Sequence, residues 1–348
     1  MGREKWVDSI RFISIEIIFG VHFIAACAPD MSKLWHEGVT GMILCGISGK
    51  LAVAMFSVLL GYFAARAGAK ADFSMSRYMC RRYIKFSVAI FGILALLAML
   101  SFSMKALGGT NGANMATANF LFGIPALSLK NILLDAFFFE VNVFPLLWCM
   151  KDFFLCSIIS AAVISISGIE NIKRLCGVWA GIILLCCLTG NVWLAIGLLG
   201  AALFSVEQIV AEHTKFRKSL ILVLILLFVF YKMCAWKFAE NNLLHMCQGI
   251  LCFLLFLVLK TGRIRENRIL NNKILAKCGE ISFYMYLSHT LINYTWGYYF
   301  MNFLLNHMQR RYALIFTFIS TNLIVVLVSC FLYQIIENKI IKKLIRKF

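Results

Sequence analysis

Residues 84–103 read IKFSVAIFGILALLAMLSFS, twenty positions with a single charge, Lys85, and no proline. At about 1.5 Å of rise per residue, a helix of this length spans roughly 30 Å, the hydrocarbon thickness of a bilayer. Similar apolar runs occur at 10–28, 46–65, 144–167, 175–190, 192–210, 219–236, 243–260, 279–300 and 312–336, with short polar gaps between most of them. The spacing predicts an all-α, polytopic helical membrane protein of about ten transmembrane helices, as one integral domain over residues 1–348 with no fused soluble domain. Composition agrees: 61% of the 348 residues are hydrophobic and 14% are charged, which is too apolar for a soluble chain of this length.

An even number of spans puts both termini on one side, and the positive-inside rule says which. Of the 34 Lys and Arg, 25 fall on the side of the termini, including Arg66, Arg77, Arg81, Arg82 and Lys85 after the second span. Both termini are therefore expected in the cytoplasm. The same asymmetry accounts for the formal charge of +18 and removes the case for nucleic acid as a partner. Membrane lipid is the expected surrounding, and the bacterial cytoplasmic membrane the expected location.

The thirteen cysteines are scattered through apolar runs, without a CxxC pair or a Cys/His cluster of metal spacing, so no metal is expected. FIAACAPD at 23–30 has the look of a signal-peptidase or lipoprotein cleavage site, but Glu16 and His22 would interrupt its apolar region and argue against cleavage. The longest gap, about 104–143, contains KALGGTNGANMATANF and then LLDAFFFEVNVFP. On the outer side, a loop of this size suits a cover for an acceptor site or a re-entrant segment.

The first span, RFISIEIIFGVH at 11–22, holds three groups that hydrocarbon tolerates at a cost. Eleven steps of a helix bring His22 to within about 20° of the face of Arg11 and roughly 16 Å further along. Glu16 lies about 140° away, where a neighbouring helix could supply a cation. A cation at the inner boundary and a titratable base deep in the span thus share one face. Arg11 reads either as an interfacial anchor or as an anion clamp, and His22 as a buried base or a satisfied structural histidine.

These residues resemble the opening of the integral-membrane acyltransferase 3 family, whose first helix carries an Asp, an Arg and then a His. Asp8, Arg11 and His22 in DSIRFISIEIIFGVHF match that pattern residue for residue. ISFYMYLSH at 281–289 is similar to the family's Ser-Phe-x-x-Tyr-Leu-x-His signature, with Ser282, Tyr286 and His289 on one helix face. PLLWCMKDFFLC at 145–156 keeps Leu147 and Trp148 of a Leu-Trp-Phe-Leu segment, and YQIIENK at 333–339 keeps Tyr333 and Glu337 of a closing Tyr-x-x-Ile-Glu pattern. AMFSVLLGYFAARAG departs from the family: Leu60 stands where a serine is usual, and Ser57 is the nearest hydroxyl to replace it.

The resemblance implies transfer of an acyl group, usually acetyl, from cytosolic acetyl-CoA to a hydroxyl of an extracytoplasmic or membrane-linked glycan. The donor, as cosubstrate, would be held by Arg11 with Arg81 or Arg82, guanidinium forks being suited to phosphates. His22 would be general base or acyl carrier, and His289 a second site residue. Asp8, Glu16, Trp148, Ser282, Tyr286 and Glu337 would support them. The rival reading is a proton-coupled transporter or flippase of envelope glycan precursors using Arg11, Glu16 and His22 as a relay. It leaves the ninth-span signature unexplained and has no visible repeat symmetry behind it.

Overall fold

The computed structural model describes residues 4–28, 48–106, 128–141, 143–168, 172–210, 216–237, 241–261 and 267–345. Most of the long outer loop expected at 104–143, including its Gly/Asn-rich part, lies outside them, as does the end of FIAACAPD. Helices α1 (Lys5–Cys27), α2 (Gly49–Gly68), α3 (Met75–Ala106), α4 (Leu129–Ala136) and α5 (Met150–Ser167) open the chain. Then come α6 (Ile172–Leu188), α7 (Val192–Val210), α8 (Phe216–Lys237), α9 (Asn242–Thr261), α10 (Lys273–Glu280), α11 (Ser282–Ile292), α12 (Tyr298–Leu305), α13 (Arg310–Leu332) and α14 (Lys342–Ile345). A 3-10 turn, Pro145–Cys149, precedes α5, and wider π turns at Asn293–Gly297 and Tyr333–Ile341 follow α11 and α13.

The described residues are helical wherever regular, so the all-α class holds, and the protein is a multi-pass membrane protein. Among the described residues, six helical runs are long and apolar enough to cross a bilayer: those at 5–27, 49–68, 75–103, 146–167, 242–260 and 310–345. Shorter apolar helices lie at 192–207 and 220–234. Helix α3 starts at Met75, nine residues before the predicted span, because nothing between Ser74 and Lys85 breaks a helix. Arg77, Arg81 and Arg82 therefore stand on helical turns rather than in a loop.

Helix α13 shows how the solvent of this fold is lipid. Ile315, Ile319, Leu323, Leu327 and Phe331, spaced every fourth residue, are each more than half exposed. The opposite stripe, Ala313, Thr317, Thr321, Val325 and Ser329, is buried. Large apolar side chains outside and small or hydroxylated ones inside reverse the order expected in water, and suit helices that pack closely in hydrocarbon.

The chain forms two compact units. The first comprises Met1–Ile17, Leu34–Met79 and Cys149–Ala276. Its centre is α2 against α7, where glycines let the backbones touch. A Cβ on Gly61 would strike the Gly197 carbonyl, and one on Gly200 the Val58 carbonyl. Ser57 is drawn into this seam, its hydroxyl donating to the Trp193 carbonyl at 3.5 Å. At one end of the unit Glu4 accepts from Arg66 at 2.7 Å, from Lys260 at 3.4 Å and from the Trp6 indole at 3.0 Å. Lys260 also reaches the Tyr62 hydroxyl at 2.8 Å and Glu207 at 3.3 Å. At the other end Gln248 on α9 donates to Ser48 at 3.3 Å and to the Tyr231 hydroxyl at 2.9 Å.

The second unit comprises Ile18–Lys33, Cys80–Trp148 and Lys277–Phe348. Helices α11 and α13 lie antiparallel in it, pinned by Tyr284 donating to Glu337 at 3.0 Å and by Ser288 against Ser329 at 3.0 Å. Lys85 on α3 pairs with the same Glu337 at 2.7 Å. Phe19 and Phe23 of α1 pack on Phe318, each with ring centroids 5.2 Å apart.

Candidate active site

Helix α1 runs unbroken from Lys5 to Cys27, so Arg11 and His22 lie on one helix. Near its start Asp8 is buried and holds Arg11 at 3.4 Å, while the guanidinium lies 5.6 Å from the Phe63 ring centre. Glu16 is partly buried further along the helix. Ile15 and Ile18, on the stripe between Arg11 and His22, are 0% and 2% exposed.

In the second unit two residues far apart in sequence meet. The rings of His22 and His289 lie with centroids 5.2 Å apart, tilted by 52°. His289 is fully buried, and its Nδ1 sits 2.7 Å from the Tyr286 carbonyl and 3.2 Å from that of Met285. A ring nitrogen facing two carbonyls carries the proton, so the neutral ring presents a lone pair at Nε2. That Nε2 has no hydrogen-bond partner among the described residues. Tyr286 supports the arrangement: its hydroxyl donates to the Leu146 carbonyl at 2.8 Å and its ring lies 5.8 Å from that of His289.

The remaining predicted residues divide by position. Ser282 is buried at the start of α11, and Glu337 is engaged by Lys85 and Tyr284, a structural tie between helices. Trp148 is 37% exposed in the 3-10 turn before α5. Arg81 is exposed and Arg82 partly buried on the first turns of α3, the end of that helix which carries Lys85.

Two polar residues escaped the sequence reading. Asn293, one turn beyond His289, and Thr321, on the buried stripe of α13, are both 0% exposed, and neither side chain has a hydrogen-bond partner among the described residues. A signal existed for the first: Ser282, Tyr286, His289 and Asn293 follow one helix face at steps of four, three and four. For Thr321 there was none, since hydroxyls recur along the whole of α13.

A histidine pair inside a membrane helix bundle, one ring locked in a single tautomer, can take and return a proton but offers no charged or metal-holding set. Among the described residues no group of three His, Cys, Asp or Glu is placed to hold a metal ion. Compared with known proteins, the chain matches the family model described as an acyltransferase domain over residues 4–334. Neither the curated proteins nor the solved structures gave a match.

Proposed function

Because the chain belongs to the acyltransferase 3 family, we propose that it carries an acetyl or other short acyl group from cytosolic acyl-CoA to a hydroxyl of an extracytoplasmic or membrane-linked glycan. The observation that carries the reading is the contact between His22 and His289 deep in the apolar helices. Intramembrane ionisable residues are costly and face a partner or a substrate path. Here two of them face each other.

His22 acts as general base. It accepts the proton of the acceptor hydroxyl while that oxygen attacks the thioester carbonyl. The tetrahedral intermediate then collapses, the carbon–sulfur bond breaks, and the proton passes from the imidazolium to the leaving thiolate. His289 stays in its Nδ1–H tautomer and offers Nε2 as an acceptor beside the reacting oxygen. Arg11, steadied by Asp8, and Arg81 or Arg82 on α3 are the cations proposed for the CoA phosphates.

Ten crossings with both termini in the cytoplasm complete the reading, and the location proposed is the bacterial cytoplasmic membrane. Supporting it, the residue before α1 and the last turns of α2, α7 and α9 meet in the cluster of Glu4, Arg66, Glu207 and Lys260, which needs an alternating path. The parallel contact of α1 with α11 through His22 and His289 agrees with first and ninth spans that run the same way.

The test uses inverted membrane vesicles from cells producing the protein, supplied with labelled acetyl-CoA. Ester label in membrane material and release of CoA are expected, both dependent on His22. Vesicles in which the wild-type protein yields neither would sink the proposal.

A further inference from the structure

Asn293 starts the π turn that follows α11, and its carboxamide is buried with neither Nδ2 nor Oδ1 bonded among the described residues. A buried amide left so costs free energy comparable to the hydrogen bonds it lacks, and its retention calls for a partner. Three further observations give its surroundings. His289 precedes it by one turn on the same face, with Nε2 also unpartnered. Gly297 follows by one turn, where an added Cβ would lie 3.2 Å from Cys27 Sγ and 3.3 Å from Thr321 Oγ1. Thr321 Oγ1 is itself buried and unpartnered.

The row His289, Asn293, Gly297 thus runs beside the row His22, Cys27 of α1, with Thr321 closing it from α13. Wider π turns in otherwise α-helical runs gather at functional sites, and this one starts at the orphaned amide. The unbonded groups are of a particular kind. A carboxamide donates and accepts, a hydroxyl does both, and Nε2 accepts. An anion would ask for donors alone and a cation for acceptors alone, whereas this mixture complements an uncharged group bearing hydroxyls.

We infer that Asn293 and Thr321, just beyond the histidine pair toward Cys27, form the subsite that holds the acceptor, through uncharged hydroxyl groups, with its reacting oxygen at His22. The inference rests on the acyl-transfer reading above. Asn293 is a positioning residue: its carboxamide orients the acceptor and takes no proton. When the acceptor is not held, water can still reach His22, so the donor is hydrolysed without transfer.

The experiment reads the coupling of two products. Native membranes containing the full chain are given labelled acetyl-CoA, and base-labile ester label in the membranes' own acceptors is measured against CoA released. For Asn293→Leu and, independently, Thr321→Val, the ratio of ester to CoA should fall roughly ten- to a hundred-fold, as losing one or two hydrogen bonds to a substrate implies. CoA release should persist, and the thermal midpoint should hold or rise, because an apolar isostere relieves an orphaned buried group. An unchanged ratio in both variants overturns the inference, and so does a parallel loss of ester and CoA with a lowered thermal midpoint, which marks a structural role. If the wild-type chain forms no ester from acetyl-CoA, the acyl-transfer reading is what fails. If the wild type transfers and His22→Ala does not, while both variants stay coupled, only the subsite is lost.

Discussion

The two compact units each bury a polar cluster, and the clusters are of opposite character. In the first unit Glu4, Tyr62, Arg66, Glu207 and Lys260 are charged or strongly polar and tie one another together, with Lys260 reaching three oxygen-bearing partners. In the second, His289, Asn293 and Thr321 are uncharged and leave buried atoms unbonded. Charges removed from water survive only when paired, so the ion pairs of the first cluster hold helix ends together, with Glu207 Oε2 alone left without a hydrogen-bond partner among the described residues. Orphaned neutral groups are tolerable one at a time, and a row of them beside a histidine pair is what the proposed acceptor subsite would bond. The comparison sets an ion-paired group that ties helix ends against a neutral group, beside a histidine pair, that is proposed to bind.

Substitutions can break that contrast at several points. The largest effect is expected from His22→Ala, which should lower acyl transfer by about 10²- to 10⁴-fold, the range of a lost general base, while membrane insertion and thermal midpoint are kept. Substantial activity in that variant would remove the histidine pair from the chemistry. Lys260→Met should act the other way, costing about 3 kcal/mol of stability by leaving Glu4 and Glu207 facing each other's charge, with transfer by the folded fraction unchanged. Thermal unfolding in detergent beside a vesicle assay scores both halves of that statement.

Glu337→Gln tests whether the second unit also contains a structural tie. Losing the charge that Lys85 and Tyr284 share should cost about 1 kcal/mol, since Lys85 is 38% exposed, and should leave the ester-to-CoA ratio alone. A changed ratio would make Glu337 part of the site.

The smallest effect is a pH dependence of the first cluster. Burial by itself would raise the Glu4 carboxyl, but Lys260, and then Arg66, outweigh it and leave its pKa below the ordinary 4.5. A carboxylate lowered by folding contributes stability above its unfolded pKa and loses it as pH falls through the folded one. The gap in thermal midpoint between wild type and Glu4→Gln should therefore be full above about 4.5 and close under more acidic conditions. A gap that widens on acidification would reverse the assignment.

Much of this architecture was legible from hydropathy. Apolar runs at 46–65, 192–210 and 243–260 became α2, α7 and α9 within a few residues. The early start of α3 was not, because a hydropathy window finds the crossing part of a helix and is blind to its wet extension through Arg77 and Arg81. The site was half legible. R-x10-H on one helix face and the ninth-span signature named His22 and His289 separately, yet no periodicity relates residue 22 to residue 289. Ser57 shows the limit from the other side: the sequence marks it as the hydroxyl nearest to Leu60, and the structure places it in the seam between α2 and α7.

Periodicity, charge asymmetry and motif spacing are local properties of a chain, and they were enough to establish a helical membrane protein with a cation and a base on the face of its first helix. Which helices meet is another matter. The pairing of His22 with His289, the closure of Lys260 onto Glu4 and Glu207, and the orphaning of Asn293 and Thr321 depend on how helices distant in sequence pack. Hydrogen-bond satisfaction is a property of that packing. Which groups are ion-paired and which are neutral and unbonded came into view only when the helices were assembled.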